Sequence, residues 1–268
     1  IEIAKERFKL IFEGRLGIDQ LYIKHSTYSK NVSNTRILQN KNSIKVLIAT
    51  HCFFDSPHGF GRTLFPDFYE WLSYICEISK NTDYEWYIKT HPNTFVENKI
   101  FIKDLVSRYQ NIKLLHNNIS HNQLIEEGMN VVLTVHGSVG LEYAARNITV
   151  INSSMNNPHI SFDFNIHPKS KEELRDIILN LKKHINHKII LEDVYKCYYM
   201  KYLNNNFNIF VPNYKNVVKS VGGYKSLFSR KIYDYWLNNW SKDFQLHLDK
   251  SLEEFIKSKE HKMVSNWN

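Results

Sequence analysis

Cysteine is scarce in this chain. There are three, Cys52, Cys76 and Cys197, an odd number with no CxxC pair among them. That usage argues against a disulfide framework and for a reducing compartment. The sequence holds no run of about 18 apolar residues and no signal-peptide pattern, so no segment reads as spanning a membrane or directing export. Long blocks of one charge are missing as well. The lysines are scattered, and no zinc-ligand spacing or RNP-like motif accompanies them. A nucleic-acid partner therefore has only net charge behind it, and none is expected. No internal repeat occurs, and low complexity is confined to the three asparagines at 204–206. The chain opens on Ile1 rather than Met, which leads us to expect a piece of a longer protein.

Apolar residues are 43 % of the 268 and aromatics 14 %, enough to bury a core and unlike a disordered chain. The formal net charge is +8 and the isoelectric point about 9.1. Such a surface attracts phosphorylated substrates, anionic membrane or nucleic acid without choosing between them.

A polar connector rich in Ser, Asn, Thr and Lys, residues 26–42, follows an N-terminal helix over 1–12. Beyond it short apolar, β-branched runs alternate with helical patterns. Strands are predicted over 43–50, 84–89, 112–115, 130–135 and 148–151, and helices over 66–79, 101–109, 121–128, 141–146 and 170–183. This alternation predicts an α/β fold, a doubly wound parallel sheet of Rossmann-like type. Ser170 and Glu173 form a capping-box pattern at the last of these helices. The expected division is a helical and linker segment (1–43), a Rossmann-like domain (44–190) and a helical C-terminal extension (191–268). The extension includes an amphipathic helix over 229–257 suited to a membrane surface or to a partner domain.

In such a sheet ligands sit beyond the carboxyl ends of the strands. Three polar groups fall there: the loop 51–62 with His51, Asp55 and His58, the segment 89–93 with Lys89, His91 and Pro92, and the turn 136–142. In the turn, Gly137, Ser138 and Gly140 allow backbone N–H groups to approach an anion, and Glu142 one turn on can accept from ribose hydroxyls. The alternative is a tight turn whose glycines serve packing alone. In the first loop, His51, Asp55 and His58 are candidates for a catalytic base, against a solvated Asp-Ser-Pro turn. No metal site and no cofactor are expected.

The segments Lys89-Thr-His-Pro-Asn93, Thr134-Val-His-Gly-Ser-Val-Gly-Leu-Glu-Tyr-Ala-Ala145, Asn152-Ser-Ser154 and Pro168-Lys-Ser-Lys-Glu-Glu-Leu174 occur in that order, with Tyr198-Tyr-Met-Lys-Tyr202 after them. In these, the run from Ile44 to about Leu203 resembles the C-terminal, donor-binding domain of capsular polysaccharide biosynthesis transferases, GT-B-like enzymes that include the capsular β-Kdo transferases. It is more distantly similar to HP-motif sialyl- and polysialyltransferases and to teichoic-acid glycerophosphotransferases. The resemblance implies a metal-independent glycosyltransferase with a CMP-, CDP- or UDP-linked sugar donor and a glycan or glycolipid acceptor, in the bacterial cytoplasm, with peripheral association at the inner face of the cytoplasmic membrane as an option. It implies that His91 contacts the donor nucleotide, that Ser138 and its turn hold the phosphate, and that Glu142 takes the ribose. Lys89, Pro92, His136, Gly137, Ser153 and Ser154 complete the expected donor set, and the first loop contributes to catalysis. A complete GT-B enzyme has two Rossmann-like domains, and this chain has room for one. A partner domain is therefore expected elsewhere, and in many such enzymes it carries the base. Transfer of glycerol or ribitol phosphate from a CDP-alcohol, non-catalytic binding of a nucleotide-sugar or glycan, and nucleotide-sugar epimerisation stay open as alternatives.

Overall fold

Five short strands form one parallel sheet in the order β3-β2-β1-β4-β5: β1 (Lys45–Ala49), β2 (Glu85–Lys89), β3 (Ile112–Leu114), β4 (Val131–Thr134) and β5 (Thr149–Asn152). The computed structural model describes residues 1–17, 25–29, 35–39, 42–54, 59, 61–91, 94–204, 214–223, 226–227 and 229–259. The strands are apolar on both faces because helices cover both. On one face Val46, Ile48, Trp86, Ile88, Val131, Leu133 and Ile151 pack with the helices α2 (Phe68–Ser79), α3 (Val96–Ser107) and α6 (Lys171–Leu179). On the other, Leu47, Tyr87, Val132 and Val150 meet Leu124 of α4 (His121–Glu126) and Tyr143 of α5 (Val139–Ala144). The expected Rossmann-like α/β architecture is the one observed.

Local signals account for several boundaries. Asp67 Oδ1 accepts the Glu70 N–H at 2.8 Å and starts α2, a cap worth about 1 kcal/mol. At α6 the Ser170 hydroxyl accepts the Glu173 N–H at 3.1 Å, and the Glu173 carboxylate reaches back to the Lys169 N–H at 2.7 Å. The capping box is thus present, with its return bond one residue earlier than the usual pattern.

Two sequence expectations are corrected. Helix α3 begins at Val96, not near Phe101. Its first turns expose Val96, Ile100 and Phe101, so no apolar stripe marks them. The amphipathic stretch over 229–257 is two helices, α9 (Arg230–Asn239) and α10 (Lys242–Ser258), because Trp240 and Ser241 take extended backbone and the Ser241 hydroxyl caps the second through the Phe244 N–H at 3.1 Å.

The described residues up to Tyr199 form one compact unit. It holds the sheet together with α1 (Glu2–Phe12) and α7 (Leu191–Tyr198), whose rings meet at Phe8–Tyr198 (4.4 Å between centroids). Parts of the polar connector also pack here: Tyr28 and Leu38 are buried, and the Glu127 carboxylate accepts the N–H groups of Ile37 and Leu38 at 2.9 and 2.6 Å. From Met200 on, the described residues form a second unit with α8 (Tyr214–Ser220), α9 and α10. There Trp240 and Phe244 lie edge to face at 4.6 Å, while Leu237, Leu246 and Ile256 are exposed. Among the described residues no helix is long and apolar enough to cross a membrane.

Candidate functional site

The chain winds outward from β1 through β2 to β3 and then returns to β4 on the other side of β1. The strand order therefore reverses between β1 and β4. Beyond the carboxyl ends of that pair lies the crevice where such sheets bind ligands.

His51, two residues past β1, crosses this crevice onto the end of β4. Its Nε2 lies 3.2 Å from Thr134 Oγ1 and accepts the backbone N–H groups of Val135 at 3.3 Å and His136 at 3.4 Å. The imidazole stacks on Phe68 at 4.5 Å with 17° between planes, and His136 tilts against it at the same 4.5 Å. Burial holds the His51 pKa well below the ordinary histidine value, and the neighbouring His136 and His91 add to the shift. Two histidines, one from each strand end of the β1–β4 pair, thus meet at the switch point, and His91, beyond β2, is close enough to act on His51 electrostatically.

The β4–α5 turn supplies the other half. The N–H groups of Gly137, Ser138 and Val139 make no hydrogen bond among the described residues, since the turn's own bonds run from Gly140 to the Gly137 carbonyl and from Leu141 and Glu142 to that of Ser138. Successive unpaired amides of this kind form a concavity for an anion. Gly137 is required by close approach: a Cβ there would stand 3.3 Å from Thr134 Oγ1 and 3.4 Å from the His51 ring. Gly140 has another reason. A Cβ on it would lie 3.0 Å from Asn165 Nδ2 and 3.0 Å from the His159 ring, both buried, so this glycine serves packing.

The other expected site residues are placed elsewhere. Lys89 points to the opposite face of the sheet, where its ammonium donates to the Asn117 carbonyl at 2.9 Å and burial lowers its pKa to about 8. Glu142 is buried, and its Oε2 accepts the Tyr28 hydroxyl at 3.0 Å. Ser153 is fully buried behind the crevice. It lines a cavity of about 10 Å³, room for one water, together with Trp71, Phe68, Val135, Phe65, Thr63 and Asp67. Among the described residues, neither the Ser153 hydroxyl nor the Trp71 indole N–H has a hydrogen-bond partner. Ser154 is also fully buried; it pairs with Thr63, and its hydroxyl accepts the Asn156 N–H at 3.3 Å. Asp55, His58 and Pro92 lie outside the described residues.

Three supporting residues were not among the expected site residues. Thr134 and Phe68 fix the His51 ring, and Asn98 Oδ1 accepts the Phe53 N–H at 2.7 Å, tying the loop after β1 to α3. Arg62 closes the same loop in left-handed backbone (φ 38°), where its carbonyl accepts the Met155 N–H at 3.0 Å. Among the described residues no group of three or more His, Cys, Asp or Glu is arranged to hold a metal ion.

No protein-family model matches this chain, and no curated protein matches it. Solved structures do. The Thermosulfurimonas dismutans β-Kdo 2,4-transferase KpsC is similar at 15 % identity with a TM-score of 0.44, over 73 % of this chain and 54 % of that one. The wall teichoic acid polymerase TagF is similar at 13 % identity with a TM-score of 0.37, over 60 % of this chain and 40 % of that one. The UDP-GlcNAc 2-epimerase of Methanocaldococcus jannaschii, solved with UDP-GlcNAc and UDP, is similar at 17 % identity with a TM-score of 0.39, over 59 % of this chain and 45 % of that one. The chain spans about half the length of these structures or less.

Proposed function

We propose that this chain is the donor-binding part of a metal-independent GT-B-type glycosyltransferase that builds a bacterial surface polysaccharide. In this reading the phosphates of a CMP-, CDP- or UDP-linked sugar lie in the crevice between β1 and β4. The observation that carries it is the meeting of His51 and His136 beside three backbone amides, at 137–139, that make no hydrogen bond among the described residues, at the switch point of a parallel sheet. Fixed N–H donors neutralise phosphate charge in a partly dry site without reorganising during the reaction. The motif order read from the sequence supports the same assignment. The acceptor is a glycan or glycolipid, and the cytoplasmic face of the membrane is where it would be met.

The test is calorimetric titration, together with a thermal-shift series, of the chain with CMP, CDP, UDP, GDP and their sugar conjugates, with and without Mg²⁺. Binding at a hundredfold excess over Kd stabilises by about 2.7 kcal/mol. A metal-independent shift with cytidine or uridine nucleotides, weakened by His91→Ala, is the expected result. No shift with any of them overturns the proposal.

A further inference from the structure

We infer that His51 is a fixed hydrogen-bond donor, its Nε2 anchoring the β4–α5 turn and its Nδ1 offering a proton to a phosphoryl oxygen in the crevice, rather than the general base. Only the identity of that oxygen rests on the proposed function. The assignment of the proton does not.

A backbone amide can donate and cannot accept. Two of them, from Val135 and His136, are directed at His51 Nε2. That nitrogen must therefore carry its lone pair, and Thr134 Oγ1, 3.2 Å away, can then only donate to it as well. A neutral imidazole has one N–H, so it lies on Nδ1. Among the described residues Nδ1 makes no hydrogen bond.

The ring has little freedom to exchange its nitrogens. Phe68 covers one face, His136 leans on the ring, and Cε1 occupies the space that a side chain at residue 137 would fill. A general base must accept a proton and hold it as a cation. At Nδ1 a proton is already present, and at Nε2 a second would face two amide hydrogens head-on. Burial opposes a cation on this ring, and the nearby His136, which leans on it, and His91 oppose it further. The same geometry suits a donor, because it fixes the direction of the Nδ1 proton before any ligand arrives.

The experiment uses the full chain labelled with ¹⁵N-histidine, the His51 signals being identified by their loss in His51→Gln. Long-range ¹H–¹⁵N correlation between pH 5.5 and 8 should show a bare Nε2, a protonated Nδ1 and no titration across this range. A protonated Nε2, or titration near 6.5, overturns the assignment. Two variants then separate the roles in binding to CDP, UDP and inorganic pyrophosphate. In His51→Gln the side-chain oxygen can take the place of Nε2 and keep the turn anchored, but no donor replaces Nδ1. Affinity should fall about tenfold or more with the melting temperature retained. His51→Asn keeps a donor near Nδ1 and loses the anchor, so it should bind better than His51→Gln while melting earlier. Wild-type affinity in His51→Gln overturns the donor role. If the wild type binds none of the three ligands, the phosphate reading fails, and the tautomer measurement still decides where the proton lies.

Discussion

The hydroxyl of Tyr28 donates to Glu142 Oε2 at 3.0 Å across 114 residues of sequence. Both groups are buried, so this bond ties the segment before the sheet to α5, the helix that follows the glycine-containing turn after β4. Burial first, and then the Glu142 charge, hold the Tyr28 pKa well above the ordinary phenol value.

Tyr28→Phe keeps the ring and removes the donor from a buried carboxylate. A loss of about 1–3 kcal/mol in unfolding free energy is expected, measured by urea denaturation of the full chain. An unchanged midpoint would show that the carboxylate is satisfied without Tyr28.

The two glycines of the turn should respond differently. Gly140→Ala drives a Cβ to 3.0 Å from the buried Asn165 and His159 side chains, which cannot withdraw, and should cost about 1–3 kcal/mol. Gly137→Ala meets Thr134 Oγ1 at 3.3 Å, a tight contact, and the His51 ring and Val139 at 3.4–3.5 Å, so it should lose less stability than Gly140→Ala while weakening nucleotide binding by displacing His51. Thermal melts with a parallel nucleotide titration check both. Equal melting temperatures for the two variants would contradict the packing role assigned to Gly140.

Acid should destabilise the fold through its buried neutral histidines. His121, whose Nδ1 lies 2.8 Å from the Tyr143 hydroxyl, has its pKa lowered well below the ordinary value by burial and by the nearby Lys89 charge. His51 is lowered in the same direction. Through these groups the unfolded chain binds more protons than the folded one below about pH 6.5, so their contribution to stability is constant above that pH and falls as pH drops, by up to about 1.4 kcal/mol per unit for each such histidine. His121→Asn should flatten the decline in melting temperature between pH 6.5 and 5. A slope equal to the wild type's would mean that His121 does not contribute.

Much of the fold was legible in sequence because its signals are local. Five apolar runs bounded by polar residues became five parallel strands, and Ser170 with Glu173 announced a helix start that the structure contains. The start of α3 was not legible, since Val96, Ile100 and Phe101 are exposed and break the stripe that reports helical period. The break at Ser241 went unread because the apolar period runs on either side of it.

The site divides along the same line. Sequence by itself determined the sheet, the glycine-containing turn and the histidines at the strand ends, because each depends on a few neighbouring residues. Which of these residues face one another was decided only by tertiary structure. Strand alternation sends Lys89 to the face opposite its apolar neighbours, and the packing of Tyr28, 114 residues away, engages Glu142. Closure of the β5 loop buries Ser153 and Ser154. His51 was visible as a titratable group, but its protonation depends on two amides 84 and 85 residues away. A hydrogen bond at that separation leaves no trace in local pattern, because it is made by the sheet that brings β1 beside β4 and not by the residues around it.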